Sequence, residues 1–304
     1  MATQVMRLPT RHRQSSQAWD HADTRFNLFM FCAVAILIPV EIILAKAVQL
    51  TGLENLLGNL PALLVLIAVW SFCRWFHVPR LIDLAESAVW AVLLTNMLPL
   101  LILVAGRSNR QLQDSALAAA DTWMHFNTTF FVDLAAQFPA LHIASTLVYA
   151  SLPWLLVAAI LLPPLCGNVR ASRQFILGIM FSAIITAAFF ALWPASGPWT
   201  SQSFHPTADQ TAVSAYIALL HSQAPVAIDV QNAGIVSFPS YHVVLAILAA
   251  LALGSIQSLR PAVWTLTALI CASTVFNGWH YGVDLLGGLV VTIVSVSLVN
   301  YIAV

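Results

Sequence analysis

The chain has 304 residues, of which 60% are hydrophobic and only 8% are charged, and its mean hydropathy is +0.85. Soluble domains carry about 25% charged residues, so this composition excludes a soluble protein and indicates a membrane protein with several spans. Acidic and basic residues balance at 12 each, which argues against nucleic acid as a partner. The four cysteines have no paired spacing, so we expect no disulfide framework, no metal site and no cofactor.

Eight apolar runs are long enough to cross a membrane, which takes about 20 residues. The predicted fold is therefore all-α, a polytopic membrane helical bundle with about eight transmembrane helices. The predicted spans are 27–48, 58–76, 82–105, 139–163, 175–193, 240–257, 261–278 and 282–302.

The positive charges predict the orientation of the bundle. Nine of the 12 Lys and Arg residues fall on the side that holds both termini, at positions 7, 11, 13, 25, 74, 80, 170, 173 and 260, and three fall on the other, at 46, 107 and 110. Because cytoplasmic loops carry the excess of Lys and Arg, both termini are expected in the cytoplasm. The loop 194–239 and the turn 277–281 are then outside.

Two outer segments are too short to span and are predicted as helices lying in the membrane interface. The segment 111–126 has an apolar stripe with helical spacing, and Asp121 lies off that stripe and is expected to face water. The stripe consists of Leu112, Ala116, Ala119, Trp123 and Phe126.

The second interfacial helix is expected in the long outer loop. Thr207 and Gln210 have the spacing of a capping box, and Ala212, Tyr216 and Leu219 form an apolar stripe behind it. Both helices are interpreted as membrane-surface packing, with a lid or a wall for lipid access as the functional alternative.

The chemistry centres on a histidine and an aspartate at the start of the last span. His280 and Asp284 are four residues apart, so on a helix they share a face, and the carboxylate can hold one ring nitrogen while the other faces outward. An aspartate within lipid costs about 3 kcal/mol, which makes an incidental one improbable. A second histidine, His242, opens the sixth span on the same outer side.

These residues carry a resemblance to a known family. Pro239-Ser240-Tyr241-His242 resembles the Pro-Ser-Gly-His motif of the type 2 phosphatidic acid phosphatase superfamily. Ser273-Thr274, with His280 and Asp284 behind it, resembles the Ser-Arg-x5-His-x3-Asp motif. Phe238-Pro239-Ser240, together with His280-Tyr281 and Asp284-Leu285-Leu286-Gly287-Gly288, is especially similar to the branch that contains the inositol phosphorylceramide synthases. The resemblance covers about residues 114–300.

The resemblance implies a membrane enzyme that acts on a lipid phosphate, as a phosphatase or as a phosphotransferase with an acceptor alcohol, on a sphingolipid in the synthase-like case. His280 would be the nucleophile and form a phosphohistidine, Asp284 would hold its tautomer, and His242 would protonate the leaving oxygen, without metal. The chain then divides into a cytoplasmic N-terminal tail (1–25), an accessory transmembrane bundle (26–110) and a phosphatase-superfamily-like catalytic domain (111–304).

The sequence departs from the family where cations usually grip phosphate. The outer loop 194–239 has no Lys or Arg, and Thr274 stands where the third motif has Arg. Arg107, Arg110 and the amide-rich helix N-termini are candidate substitutes. The candidate phosphate-binding residues are Ser196, Gly197, Ser240, Tyr241 and Asn277.

A non-enzymatic protein is the alternative, either a transporter or a lipid-phosphate-binding protein with a degenerate site. Only Glu86 and Asn96 in the third span are placed to line a polar path, and two such residues are too few for a path across the membrane.

Overall fold

The computed structural model describes residues 11–222, 224–228 and 234–302, and it describes side chains from residue 24 onward. Over these residues the fold is all-α, as predicted, apart from two very short strands. The helices are α1 Arg11–Ala47, α2 Leu60–Trp75, α3 Pro79–Gly106, α4 Asp114–Trp123, α5 Thr128–Gln137, α6 Pro139–Tyr149, α7 Leu152–Leu165, α8 Val169–Leu192, α9 Ala208–His221, α10 Tyr241–Leu253, α11 Arg260–Phe276 and α12 Gly282–Ile302. Two 3₁₀ helices cover Leu53–Asn59 and Pro198–Thr200, and the strands are β1 Leu50–Thr51 and β2 Val226–Ala227.

Helix length and composition support a polytopic membrane protein. Within the described residues, six helical segments are long and apolar enough to cross a membrane, and one of them, Pro139–Leu165, joins α6 and α7 end to end. The other two predicted spans coincide with shorter apolar helices, α10 with 13 residues and α11 with 17. Each predicted span therefore corresponds to an apolar helical segment.

The last spans share one apolar core. Buried side chains from α7, α8, α10, α11 and α12 form a single cluster. Examples, one from each helix in that order, are Leu155, Phe175, Val244, Ile270 and Val291. The first helices join this core through α3, which packs along α8. Residues 1–10 of the predicted tail lie outside the described residues, and the division into accessory and catalytic parts stays a prediction.

At the end of the bundle that is predicted to be outside, the loops form a connected layer, called the outer layer below. Strand β1, which follows α1, pairs in parallel with β2 from the long loop. The guanidinium of Arg107, at the end of α3, donates to the carbonyls of Val48, Leu220 and Ser222 at 2.9 Å each. Three hydrogen bonds to backbone carbonyls thus hold the Arg107 guanidinium, and this position does not suit a cation that binds phosphate.

The expectation that Asp121 faces water is wrong. Asp114, Leu117 and Asp121 form the buried face of α4, and Asp121 is only 1% exposed. The predicted apolar stripe, represented by Leu112 and Trp123, is exposed on the opposite side. A helix at a membrane surface can turn its apolar stripe toward lipid and its polar residues toward the protein, and the exposure pattern of α4 matches that arrangement.

Helix α9 begins as predicted, but it packs on a different face. The Thr207 side chain accepts from the Gln210 amide and Gln210 reaches back to the Thr207 N–H, which completes the capping box. The buried positions are Gln210, Ile217 and Leu220, whereas Leu219 of the predicted stripe is exposed. The buried face is therefore offset by one residue from the predicted stripe.

Candidate active site

The turn between α11 and α12 places His280 inside the outer layer. Helix α11 ends at Phe276, and Gly278 takes a left-handed conformation with φ of 68°, which reverses the chain before α12 begins at Gly282. A Cβ at Gly278 would lie 2.9 Å from the Phe204 ring, so glycine is favoured there both by conformation and by space. The His280 side chain is buried.

Two acceptors hold one nitrogen of the His280 ring. Nδ1 lies 3.0 Å from the Ser237 carbonyl oxygen and 3.2 Å from Oδ2 of Asp284. Because the Ser237 carbonyl oxygen can only accept, Nδ1 must carry the hydrogen, and the lone pair is then on Nε2. Nε2 lies 3.5 Å from Nδ1 of His242, so the structure brings all three predicted catalytic side chains together.

Burial keeps the His280 ring uncharged. Loss of solvent lowers the pKa of His280 from 6.5 to about 4, and the hydrogen bond to the Ser237 carbonyl opposes that shift. At neutral pH the contact with Asp284 is therefore a hydrogen bond from a neutral ring rather than an ion pair. A neutral ring with its Nε2 lone pair exposed to a partner is the state that a nitrogen nucleophile requires.

Hydrogen bonds to Asp284 connect the turn that holds His280 to the loop before α10. Its side chain is completely buried, and Oδ2 accepts from the Ser237 hydroxyl and the Tyr281 backbone N–H, both at 2.9 Å, besides His280. Its carbonyl accepts from the Ser240 N–H at 3.0 Å, which fixes the start of α10 against α12. The position of His280 relative to α10 is thus set by a network and not by one contact.

His242 lies in the first turn of α10. The Ser240 side chain caps this helix by accepting from the Val243 N–H at 3.4 Å. The His242 ring stacks on Tyr149 of α6, with 4.7 Å between the ring centroids, and its centroid is 5.6 Å from that of His280. The ring of His242 is therefore held between an aromatic ring and the candidate nucleophile.

The candidate phosphate-binding residues are spread over different surroundings. Ser196 lines the same cavity as the two histidines. Gly197 is next to it, but its N–H donates to Asp114 at 2.8 Å. Ser240 is fully buried beneath His242, Tyr241 donates its hydroxyl to the Ile179 carbonyl within the core, and the Asn277 amide accepts from the hydroxyls of α6. A phosphate-binding role stays a prediction for all five, and Ser196 is the one whose position supports it.

Asp114 and Asp121, to which the sequence assigned no role in the site, organise it. Asp114 accepts from the Ser196 and Gly197 N–H groups and from the Tyr281 hydroxyl. Asp121 accepts from the Gly282 and Val283 N–H groups at 2.9 and 2.8 Å. The amides at the start of α12 are thus occupied by a carboxylate of the protein, so the phosphate of a substrate has to find other donors.

A sequence signal for these aspartates exists. They are seven residues apart, two helical turns, and the segment 111–126 has no other Asp or Glu and no Lys or Arg. Burial raises the pKa of Asp121, while the hydrogen bonds from Gly282, Val283 and Thr128 lower it. A carboxyl group placed in this way faces the protein and clamps the N-terminus of the last helix.

The cavity beside the histidines is narrow and largely apolar. Its volume is about 10 Å³, which is roughly the space of a single water molecule. None of the described residues that line it is a lysine or an arginine. The lining comprises Tyr149, Ser196, Trp199, Val213, Gly234, Ile235, Val236, Ser237, His242, Trp279 and His280.

The two histidine rings lie too close together for a phosphate between them. A phosphorus atom about 3–3.5 Å from Nε2 of His280 does not fit into the 3.5 Å that separates this nitrogen from Nδ1 of His242. A phosphate can enter between these two nitrogens only if the rings move apart.

Comparison with known proteins gives one match. The family model described as the PAP2 superfamily matches residues 115–298, a range that contains both histidines and Asp284. No curated protein and no solved structure matches the chain. Within the described residues, no group of three or more His, Cys, Asp or Glu side chains has the arrangement to hold a metal ion.

Proposed function

Because the chain belongs to the PAP2 superfamily, we propose that it is a membrane enzyme that cleaves or transfers the phosphate group of a lipid through a phosphohistidine on His280. The observation that carries this proposal is the fixed tautomer of His280. Two acceptors hold Nδ1–H, and the Nε2 lone pair faces His242 beside one small cavity that both histidines line.

In the first step, Nε2 of His280 attacks phosphorus. The N–P bond forms as the bond between phosphorus and the leaving oxygen breaks, and His242, which enters the step as imidazolium beside the anionic substrate, gives one of its two ring protons to that oxygen and becomes neutral. The ring of His280 gains positive charge in this step, and the Asp284 carboxylate and the Ser237 carbonyl stabilise it. In the second step His242 removes a proton from water or from an acceptor hydroxyl, whose oxygen attacks phosphorus and releases His280.

The charge of the cavity favours one class of substrate. No described lining residue supplies the Lys or Arg that usually stabilises a transferring phosphoryl group. A phosphomonoester carries close to two negative charges at neutral pH, since its second pKa is about 6, whereas a phosphodiester carries one. We therefore favour a lipid phosphodiester, and with it headgroup transfer, over a phosphatidate-like monoester. The resemblance to the inositol phosphorylceramide synthase branch supports the same choice.

Formation of the phosphoryl-enzyme tests the proposal. Purified protein in lipid nanodiscs, with chelator present throughout, is mixed with substrates labelled in the phosphate, and the acid-labile, base-stable adduct is located by mass spectrometry. We expect labelling at His280 in the wild type, none in His280→Ala, and unchanged labelling in the control His205→Ala, which alters an exposed histidine of the outer loop.

Substrates with different leaving groups test the role of His242 as a general acid. General acid help is worth about 10²–10⁴-fold, so His242→Ala should slow turnover of lipid esters by that factor. It should slow an aryl phosphate much less, because a phenolate leaves without a proton. If His242→Ala blocks labelling while His280→Ala retains it, the roles are reversed. If neither change affects activity, the alternative of a lipid-phosphate-binding or transport protein applies.

A further inference from the structure

A second cavity lies outside the part of the chain that the family model matches. It has a volume of about 220 Å³ and is enclosed by α1, the 3₁₀ helix Leu53–Asn59, α2 and α3. Its walls are apolar except for Glu41 and Asn96. It is close to the outer ends of these helices, where β1 and Arg107 join them to the loops around the histidines.

Glu41 is the unusual group in this cavity. It is 2% exposed, and its Oε1 has no hydrogen-bond partner. A carboxyl group in the apolar part of a membrane is costly unless it is paired. No described residue that lines the cavity is a lysine or an arginine, so an O–H or N–H group of a ligand in the cavity can supply the donor that Oε1 lacks.

Asn96 restricts the chemistry of that ligand. Its Nδ2 donates to the Val92 carbonyl at 3.0 Å, and its Oδ1 accepts from Asn59 at 2.9 Å. One hydrogen of the amide group is left for a further acceptor. A hydroxyl group can donate to Glu41 and accept from Asn96, whereas an ammonium group has no lone pair with which to accept.

The size of the cavity indicates how much of a ligand it holds. A volume of about 220 Å³ accommodates roughly seven groups of about 30 Å³ each, the share of one water molecule in the liquid. That is enough for a glycerol-sized end and the first carbons of its chains. Exposed apolar side chains such as Ile43 and Leu64 continue outward from α1 and α2 toward the surrounding lipid.

We propose that this cavity binds the hydroxyl end of a neutral lipid alcohol with acyl chains, such as a diacylglycerol, and that the hydroxyl pairs with Glu41 and Asn96. The site lies among α1, α2 and α3, which the family model does not match, and the proposed function of these helices is to bind this alcohol. The binding itself does not depend on the function proposed above. Only the identification of the alcohol as released product or as acceptor rests on that function.

A hydrophobic carbodiimide tests the site, because such reagents modify carboxyl groups buried in membranes and leave an adduct of defined mass. The full chain in detergent is treated with dicyclohexylcarbodiimide, and peptides are quantified by mass spectrometry. We expect modification of Glu41 and at least tenfold less at Glu86, which pairs with Arg173 at 3.2 Å. Glu41→Gln should remove the adduct from its peptide.

Protection by lipids identifies the ligand. Dioctanoylglycerol should lower modification of Glu41 at least fivefold. Trioctanoylglycerol, which has the same chains and no free hydroxyl, should protect far less, and Asn96→Leu should weaken the protection by dioctanoylglycerol. Equal protection by both lipids, or protection by dodecylamine alone, would overturn the proposal.

Native mass spectrometry decides the case in which Glu41 does not react. Wild-type protein should retain dioctanoylglycerol and Glu41→Leu should not, and equal retention by the two would also overturn the proposal. Phosphoryl-enzyme formation at His280 is measured on the same samples. A failed lipid site with intact His280 labelling, or the reverse, therefore separates this inference from the proposed function.

Discussion

Replacement of Asp284 by asparagine measures how the nucleophile is held. Oδ2 of Asp284 accepts from His280, Ser237 and Tyr281, whereas Oδ1 is buried with no hydrogen-bond partner. An asparagine can keep its oxygen at the Oδ2 position and turn its NH₂ group to the Oδ1 position. The change then leaves one buried NH₂ group unsatisfied, so we expect the free energy of unfolding to fall by at most about 1–3 kcal/mol.

The kcat of the Asp284→Asn variant should fall moderately. In a serine protease triad, the same substitution costs about 10⁴-fold, because the histidine takes the wrong tautomer. Here the Ser237 carbonyl still accepts from Nδ1 at 3.0 Å and keeps the hydrogen there. What is lost is the charge of the acceptor, a difference of about 1–2 kcal/mol between a charged and a neutral hydrogen bond. This corresponds to roughly a 5–30-fold decrease in kcat.

Asp284→Ala provides the contrast. It leaves the Ser237 hydroxyl and the Tyr281 N–H buried without an acceptor, at about 1–3 kcal/mol each, so we expect it to lower the free energy of unfolding by about 2–6 kcal/mol. Turnover of a labelled lipid substrate and thermal unfolding in the same detergent measure both effects. A loss near 10⁴-fold in Asp284→Asn would show that Ser237 does not hold the tautomer. An unchanged rate would show that Asp284 does not orient His280.

Two further predictions concern pH and sidedness. Because burial lowers the pKa of His280 from 6.5 to about 4, the ring stays neutral down to that pH, and the acidic limb of kcat/KM due to this group is expected near 4. The same pKa shift destabilises the native state as pH falls from 6.5 toward 4, since the unfolded chain binds the proton first. An acidic limb of kcat/KM near pH 6.5 would contradict this buried environment of His280. In intact cells, a membrane-impermeant maleimide should label Ser203→Cys in the exposed outer loop, and it should reach the native, exposed Cys166 only after permeabilisation. The reverse pattern would place the histidines on the cytoplasmic face.

Much of the fold follows from the sequence because lipid imposes strict rules. A span must be long, apolar and helical, so hydropathy locates each membrane helix to within a few residues. The contact between His280 and Asp284 likewise follows from local geometry, because residues four apart on a helix share a face. The proximity of His242 follows from topology, since both histidines begin descending spans at the same end of the bundle.

Two kinds of feature could not be predicted from the sequence. One is which face of a surface helix turns toward the protein, and the other is the set of contacts made by backbone groups. The apolar stripe of α4 was expected to mark packing at the membrane surface, and Asp121 beside it was expected to face water. In the structure the stripe is exposed and Asp114 and Asp121 are buried against the protein, which is the direction expected where lipid covers the stripe. The Ser237 carbonyl has no side-chain signature at all, yet it holds His280 across 43 residues of sequence. Arg107 looked available for phosphate and instead binds three carbonyls.

The surroundings of the proposed phosphohistidine bear on the choice between hydrolysis and transfer. Aromatic rings such as Trp199 and Trp279, edge to face with 5.5 Å between their centroids, line the cavity beside His280. Apolar walls of this kind limit the access of water and protect a reactive intermediate until an acceptor arrives. An acceptor that approaches from the membrane brings its own apolar surface and can pack against these rings. We infer that the apolar lining and the missing cations favour the same outcome, transfer of a singly charged phosphoryl headgroup to a lipid hydroxyl.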